Sequence, residues 1–309
     1  MWNQIIALFS DYTFQIVALG TGFLGLLSGV VGTFVTLKKE SLLGDALSHS
    51  ALPGIGIGFL LIQSKELIVL LLGAAVSGLL ATGLIHLMSK KTTVKFDSAL
   101  SLVLSSFFGL GLVIMTYIQG SPNAQQAGLD NFIFGQASAM LIRDVRLIAI
   151  VGIIILLLVG LFWKEFKLFT FDSDFGKTMG YSERFVEMLL STMVVLTIIL
   201  GLESVGVILV SALLIGPAVA ARQWSDRLNI VVILAGIVGF VSGISGTLIS
   251  SIGNRIPTGP SIVVVLSVFV LSSLFFSPKR GIIAKRSSYR KQKRTIEQKL
   301  QAMKEGQSK

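Results

Sequence analysis

Cysteine is absent from all 309 residues, which excludes disulfides, thiolate metal sites and cysteine nucleophiles; any metal must be held by oxygen and nitrogen. Charge is scarce, at 14% Asp, Glu, Lys and Arg, and histidine occurs only as His49 and His86. Neither G-x-x-x-x-G-K-[ST] nor H-E-x-x-H occurs, so the chain has no P-loop nucleotide site and no zincin-type catalytic helix. What remains is apolar. Hydrophobic residues make up 53% and the mean hydropathy is +0.83, a level at which a soluble chain of this length would expose apolar surface. The expected class is an all-α, polytopic integral membrane protein.

Apolar stretches near the roughly 20 residues that cross a bilayer fall at about 14–37, 42–62, 66–88, 98–118, 145–163, 185–202, 205–221, 228–252 and 260–277. These give a bundle of eight or nine transmembrane helices, because connections such as Glu203–Ser204 leave room for a broken or re-entrant segment. The first segment lacks a preceding Lys or Arg and a small-residue cleavage site, and reads as a span rather than a signal peptide. With nine spans and the C-terminus inside, 22 of the 26 Lys and Arg face the cytoplasm; Lys65, Arg143, Arg146 and Arg255 stay outside. The basic-inside preference therefore puts the N-terminus outside and the C-terminus in the cytoplasm. The expected division is a transmembrane domain, 1–278, and a basic cytoplasmic tail, 279–309. The tail carries eleven basic residues and reads as facing lipid headgroups, with a short surface helix at Tyr289–Lys304; no aromatic interleaving points to nucleic acid.

One stretch, KKESLLGDALSHSALPGIGIG from Lys38 to Gly58, combines chemistry with an apolar run. Asp45 and His49 lie at i and i+4, one above the other on a helix, as a half-site for a divalent cation. An ionised Asp in the hydrocarbon region costs at least about 2.5 kcal/mol, so one that is kept faces a cavity or partner. Pro53 and Gly54 follow, and a break in the helix is expected there. By helical rise His49 should lie near mid-membrane. His86 has no carboxylate at helical spacing and reads as interfacial. The G-x-x-x-G steps at Gly25/Gly29, Gly54/Gly58 and Gly239/Gly243 read as close helix packing, with a dimer seam as the alternative.

The connection Lys164–Glu183 has apolar residues at Phe171, Phe175 and Met179, an i, i+4, i+8 stripe, with Asp172 and Asp174 near its start and Gly180 at its end. Phe171–Gly180 is therefore expected to form one short amphipathic helix. Two acids and few bases disfavour lipid and favour a protein partner.

Three motifs in order, GDALSHSALPGI, FDSDFGKTMGYS and SVGVILVSALLIGPAVAA, resemble the permease subunits of bacterial ABC importers for manganese, zinc and iron, over nearly all of residues 10–280. That family's fold is similar to the vitamin B12 importer permease. The resemblance implies a homo- or heterodimer of permeases, two cytoplasmic ABC ATPase subunits and an extracytoplasmic metal-binding lipoprotein that delivers the ion. The setting would be a bacterial cell membrane, with surrounding lipid. No cofactor is bound permanently; Mn, Zn or Fe is the cargo, manganese first. ATP hydrolysis would belong to the separate subunit. On the same resemblance Phe171, Asp172, Phe175, Met179 and Gly180 match the ATPase-coupling helix, and Asp45 and His49 the metal-binding pair; Gly176 stands where Ala is expected. The alternative is a secondary, ion-coupled metal transporter, which needs buried coupling charges, and these are scarce. An intramembrane enzyme lacks a catalytic set.

Overall fold

The computed structural model describes residues 10–64, 66–120, 135, 137, 140–253 and 256–284. Tyr289–Lys304, Lys65 and Arg255 lie outside the described residues. The chain folds as α1 (Tyr12–Leu37), α2 (Leu43–Ile62), α3 (Leu67–Lys91), α4 (Phe96–Gln119), α5 (Ile142–Leu161), α6 (Trp163–Phe171), α7 (Ser173–Thr178), α8 (Glu183–Leu202), α9 (Val205–Trp224), α10 (Leu228–Ile252) and α11 (Thr258–Phe276). All but α6 and α7 are long and apolar enough to cross a bilayer, which gives nine candidate spans among the described residues. In a membrane each backbone N–H and C=O must be satisfied within the segment, and uninterrupted helices do this.

α8 and α9 meet at a break at Gly206, whose φ of 81° and ψ of 165° suit glycine. The chain reverses there. A methyl on Gly201 would overlap Val210, nine residues on, a distance no straight helix could close.

Main-chain contact at small residues holds the bundle. A methyl on Gly25 or Gly239 would strike the other's carbonyl, Gly29 abuts Ala235, and Gly243 abuts Thr21, so α1 and α10 cross backbone to backbone. Thr21 Oγ1 lies 3.2 Å from Gly243 O and 3.0 Å from Thr247 Oγ1 at this crossing. Gly32 meets the Leu214 carbonyl and brings α9 into the same body. A second crossing pairs Gly54 of α2 with Gly73 of α3, beside Ser77 Oγ donating to Ser50 O at 2.6 Å. All three G-x-x-x-G steps are thus used within the subunit, where lipid gives no hydrophobic drive and close van der Waals contact must serve. Large apolar side chains on α3, α4, α5 and α11, such as Leu72, Val113, Leu157 and Val264, point outward.

Two local expectations change. α2 runs through Pro53 without a break. Proline removes one hydrogen bond, the one to the His49 carbonyl, and the flanking turns are held by packing of Leu52 and Pro53 against Gly111 and of Gly54 against Gly73. The expected helix Phe171–Gly180 is split: Phe171 ends α6, and Asp172 (φ −150°, ψ 87°) breaks the helix and starts α7.

At the end of the bundle that holds the α9–α10 turn, the first tail residues are clasped. Lys279 and Arg280 reach Asp226 at 3.2 and 2.5 Å, and Trp224 Nε1 donates to Ser273 Oγ at 3.0 Å. The two cations hold the Asp226 carboxyl below its usual range.

Candidate functional site

Asp45 lies in the first turn of α2, where the unpaired N–H groups of a helix start favour a carboxylate. One turn on, His49 Nε2 stands 3.5 Å from Asp45 Oδ1. The Asp45 side chain is 44% exposed and that of His49 21%, so the carboxylate opens into space while the ring is largely walled in. The Phe108 ring of α4 packs edge-on against the imidazole at 4.6 Å, and His49 Nδ1 is buried with no hydrogen-bond partner.

A third element completes the wall. The Ser211 hydroxyl of α9 has three acceptors in reach of its proton, Val207 O at 3.0 Å, Asp45 Oδ1 at 3.4 Å and Ser48 Oγ at 3.5 Å. Ser48 in turn donates to Gly44 O at 2.7 Å. One hydroxyl, that of Ser211, therefore stands beside the carboxylate, with Ser48 behind it. Sequence reasoning missed Ser211, because nothing in spacing links positions 166 residues apart; Phe108 was missed for the same reason.

The pair sits level with the middle of α4. Phe108 is twelve residues from Phe96 and eleven from Gln119, about 18 and 16 Å by helical rise. α2 itself begins only six residues before His49, so the α1–α2 turn is recessed into the bundle. Lys38 and Glu40 lie in that turn, paired at 3.3 Å with side chains 14% and 18% exposed. Burial raises the Glu40 carboxyl above its ordinary value, and Lys38 partly opposes this.

Among the described residues no group of three or more His, Asp, Glu or Cys could hold a metal. Asp45 and His49 of one chain supply one carboxylate and one imidazole, half of a four-ligand set. His86 lies apart, with Nε2 3.4 Å from Ser191 Oγ on α8.

The second candidate surface is formed by α6 and α7. Asp172 Oδ1 accepts from Phe175 N at 2.9 Å and so caps α7. Gly176 is buried against α6: a methyl there would stand 2.9 Å from Phe169 Cζ, so alanine would push that ring. Phe171, Phe175 and Met179 are 61%, 53% and 60% exposed, and Gly180 turns the chain with φ 85°. Behind this apolar surface runs a chain of charges. Lys177 reaches Asp174 and Glu183, both at 3.2 Å; Lys90 of α3 reaches Glu183 at 3.7 Å and pairs closely with Glu187. Glu183 and Asp174 raise the Lys177 ammonium above its ordinary value.

Residues 10–277 match the ABC 3 transport family. The chain belongs to that family. It is 49% identical over 281 residues to the zinc transport system membrane protein TroC of Treponema pallidum (strain Nichols), covering 91% of this chain and 94% of that protein. It is 47% identical to the manganese transport system membrane protein MntC of Bacillus subtilis (strain 168), covering 88% of this chain and 62% of that longer protein. Among solved structures, PsaBC from Streptococcus pneumoniae in complex with Fab superposes with a TM-score of 0.79 at 31% identity, over 91% of this chain and 98% of that one. The ABC 3 fold is thus an all-helical, multi-pass membrane bundle, as expected from composition.

Proposed function

We propose that the chain is the membrane-spanning subunit of an ATP-driven importer of a divalent transition metal, manganese or zinc, with iron as a further candidate, and that Asp45 and His49 hold the ion in transit. What supports the reading is the Asp45–His49 pair at 3.5 Å, level with the middle of α4, with the carboxylate open to space. Kinship supports it as well: one relative is a zinc and the other a manganese transport system membrane protein.

A second permease, identical or paralogous, supplies the other carboxylate and imidazole, making a two-oxygen, two-nitrogen set whose two negative charges offset the ion's. Zinc gains more raw affinity from such ligands; the Ser211 hydroxyl oxygen beside the carboxylate suits harder manganese, so geometry decides selectivity. Pro53 leaves the His49 carbonyl oxygen without its helical donor, one more oxygen at the same level. The exposed side chains of Phe171, Phe175 and Met179 dock the cytoplasmic ATPase, which performs hydrolysis, and an extracytoplasmic binding protein delivers the ion. The N-terminus lies outside and the tail inside a bacterial cell membrane.

Radiometal uptake by cells expressing variants tests this. Asp45→Asn keeps size but removes one negative charge per protomer and should nearly abolish uptake; His49→Ala should weaken binding and loosen discrimination between manganese and zinc. Wild-type rates and selectivity in both would make the pair structural.

A further inference from the structure

A groove of about 570 Å³ runs between α3 and α8 at the end of the bundle where α3 finishes. Its walls are apolar, with Leu79, Leu87 and Met188 exposed, and Gly83 lies along it with open space where a side chain would stand. At its mouth stand Lys90, Lys91 and Arg184. Lys90 is taken up by Glu187 and Glu183, whereas Lys91 and Arg184 make no ion pair among the described residues. The groove therefore presents two unneutralised cations above an apolar slot.

We propose that this groove binds an acidic phospholipid, with its headgroup phosphate on Lys91 and Arg184 and an acyl chain along Gly83. Three observations support a lipid. From Leu79 to Lys91 the slot runs about 18 Å by helical rise, close to one leaflet of a roughly 30 Å core. Charge lies at the water end only, the polarity of a phospholipid. The groove also lies on a helix across α2 from the ion site, because Gly54, which packs on α3, is nine residues from Asp45 and so half a turn round α2. A basic pocket between spans at the cytoplasmic side is a recognised site for acidic headgroups. The seat adjoins Lys90 and Glu187, so a bound lipid would brace the charge chain that runs to α7.

The test uses the purified full chain in detergent, titrated separately with phosphatidylglycerol, phosphatidylcholine and inorganic phosphate, reading thermal unfolding and lipid retention by native mass spectrometry. Phosphatidylglycerol should raise the unfolding temperature and stay bound, phosphatidylcholine much less, and phosphate should not reproduce the effect. One basic residue near an acidic surface is worth roughly fivefold in affinity, so Lys91→Ala with Arg184→Ala should weaken phosphatidylglycerol binding about 30-fold. A Cβ on Gly83 would meet nothing within 4 Å, so Gly83→Leu should fill the slot and abolish retention without lowering the lipid-free unfolding temperature. Equal responses to both lipids, an equal response to phosphate, or undiminished retention in both the double variant and Gly83→Leu would each overturn the proposal.

Discussion

Replacing Phe175 by Asp isolates the contact expected between α7 and the ATPase. The Phe175 side chain is 53% exposed, and the hydrogen bonds that hold α7 at this residue run through its backbone: its N–H to Asp172, its carbonyl to Thr178 Oγ1. An acid at the third position of α7 also suits the helix start, so the local fold should survive. A Phe side chain offers about 200 Å² in all, so roughly 105 Å² remains to be covered by a partner, worth about 2.6 kcal/mol at about 25 cal/mol per Å². Losing that contact alone weakens association roughly 80-fold, and the unpaired carboxylate placed in that contact adds a penalty of about 1–3 kcal/mol. The measurement is binding of the purified ATPase to permease in nanodiscs by biolayer interferometry, with membrane insertion and unfolding temperature as controls. Phe175→Asp should insert and unfold like wild type while ATPase binding falls beyond detection. Unchanged binding with full transport would refute the docking argument and return α6–α7 to a lipid-resting role.

Gly54→Leu should lower the unfolding temperature in detergent, because the new side chain meets the Gly73 carbonyl; overpacking of this kind costs about 1–3 kcal/mol or more, whereas Gly83→Leu at an open position should cost nothing measurable. Glu40 carries a raised carboxyl: ionised, it opposes folding above its ordinary value near 4.5, and the cost disappears as pH falls through the raised value towards that point. Glu40→Gln should therefore stabilise the protein at neutral pH and make no difference below about pH 4.5, read by thermal unfolding across pH. Cysteines placed at exposed Tyr12 and Ile282 test orientation: an impermeant maleimide should label the first and spare the second in intact cells, and the reverse would invert the topology. Ser211→Ala should keep the fold and reduce discrimination for manganese over zinc in uptake competition, since it removes a hydroxyl oxygen 3.4 Å from Asp45.

Hydropathy placed the spans within a few residues, since each must be apolar over its whole length to exist in lipid. The i, i+4 rule brought Asp45 and His49 together, and the structure places them 3.5 Å apart. Where pattern fell short, a competing local or distant contact decided. Pro53 reads as a helix breaker because the sequence does not show Gly111 and Gly73 packing on either side of it. The stripe Phe171, Phe175, Met179 spans two helices because Asp172 caps the second; an Asp three residues before a free N–H was a legible signal outweighed by periodicity. Glu203–Ser204 marked the short connection between the sixth and seventh spans, but the sharp turn falls two residues on, at Gly206, a residue free to take φ of 81°. Ser211, Phe108 and the recessed α1–α2 turn needed the tertiary arrangement.

The distribution of close crossings has a mechanical consequence. α1, α9 and α10 touch through main chain at Gly25, Gly29, Gly32 and Gly243, and α2 touches α3 the same way at Gly54. Between these two blocks the contacts are softer: a Leu214 methyl against Gly44, and the Ser211 hydroxyl at 3.4 Å and 3.5 Å from Asp45 and Ser48. Side chains can change rotamer, whereas backbones in contact cannot slide without first separating. The least costly shear plane through the subunit therefore passes beside Asp45, and a slip of about 1 Å along it would carry the carboxylate out of reach of Ser211 while each block stayed rigid.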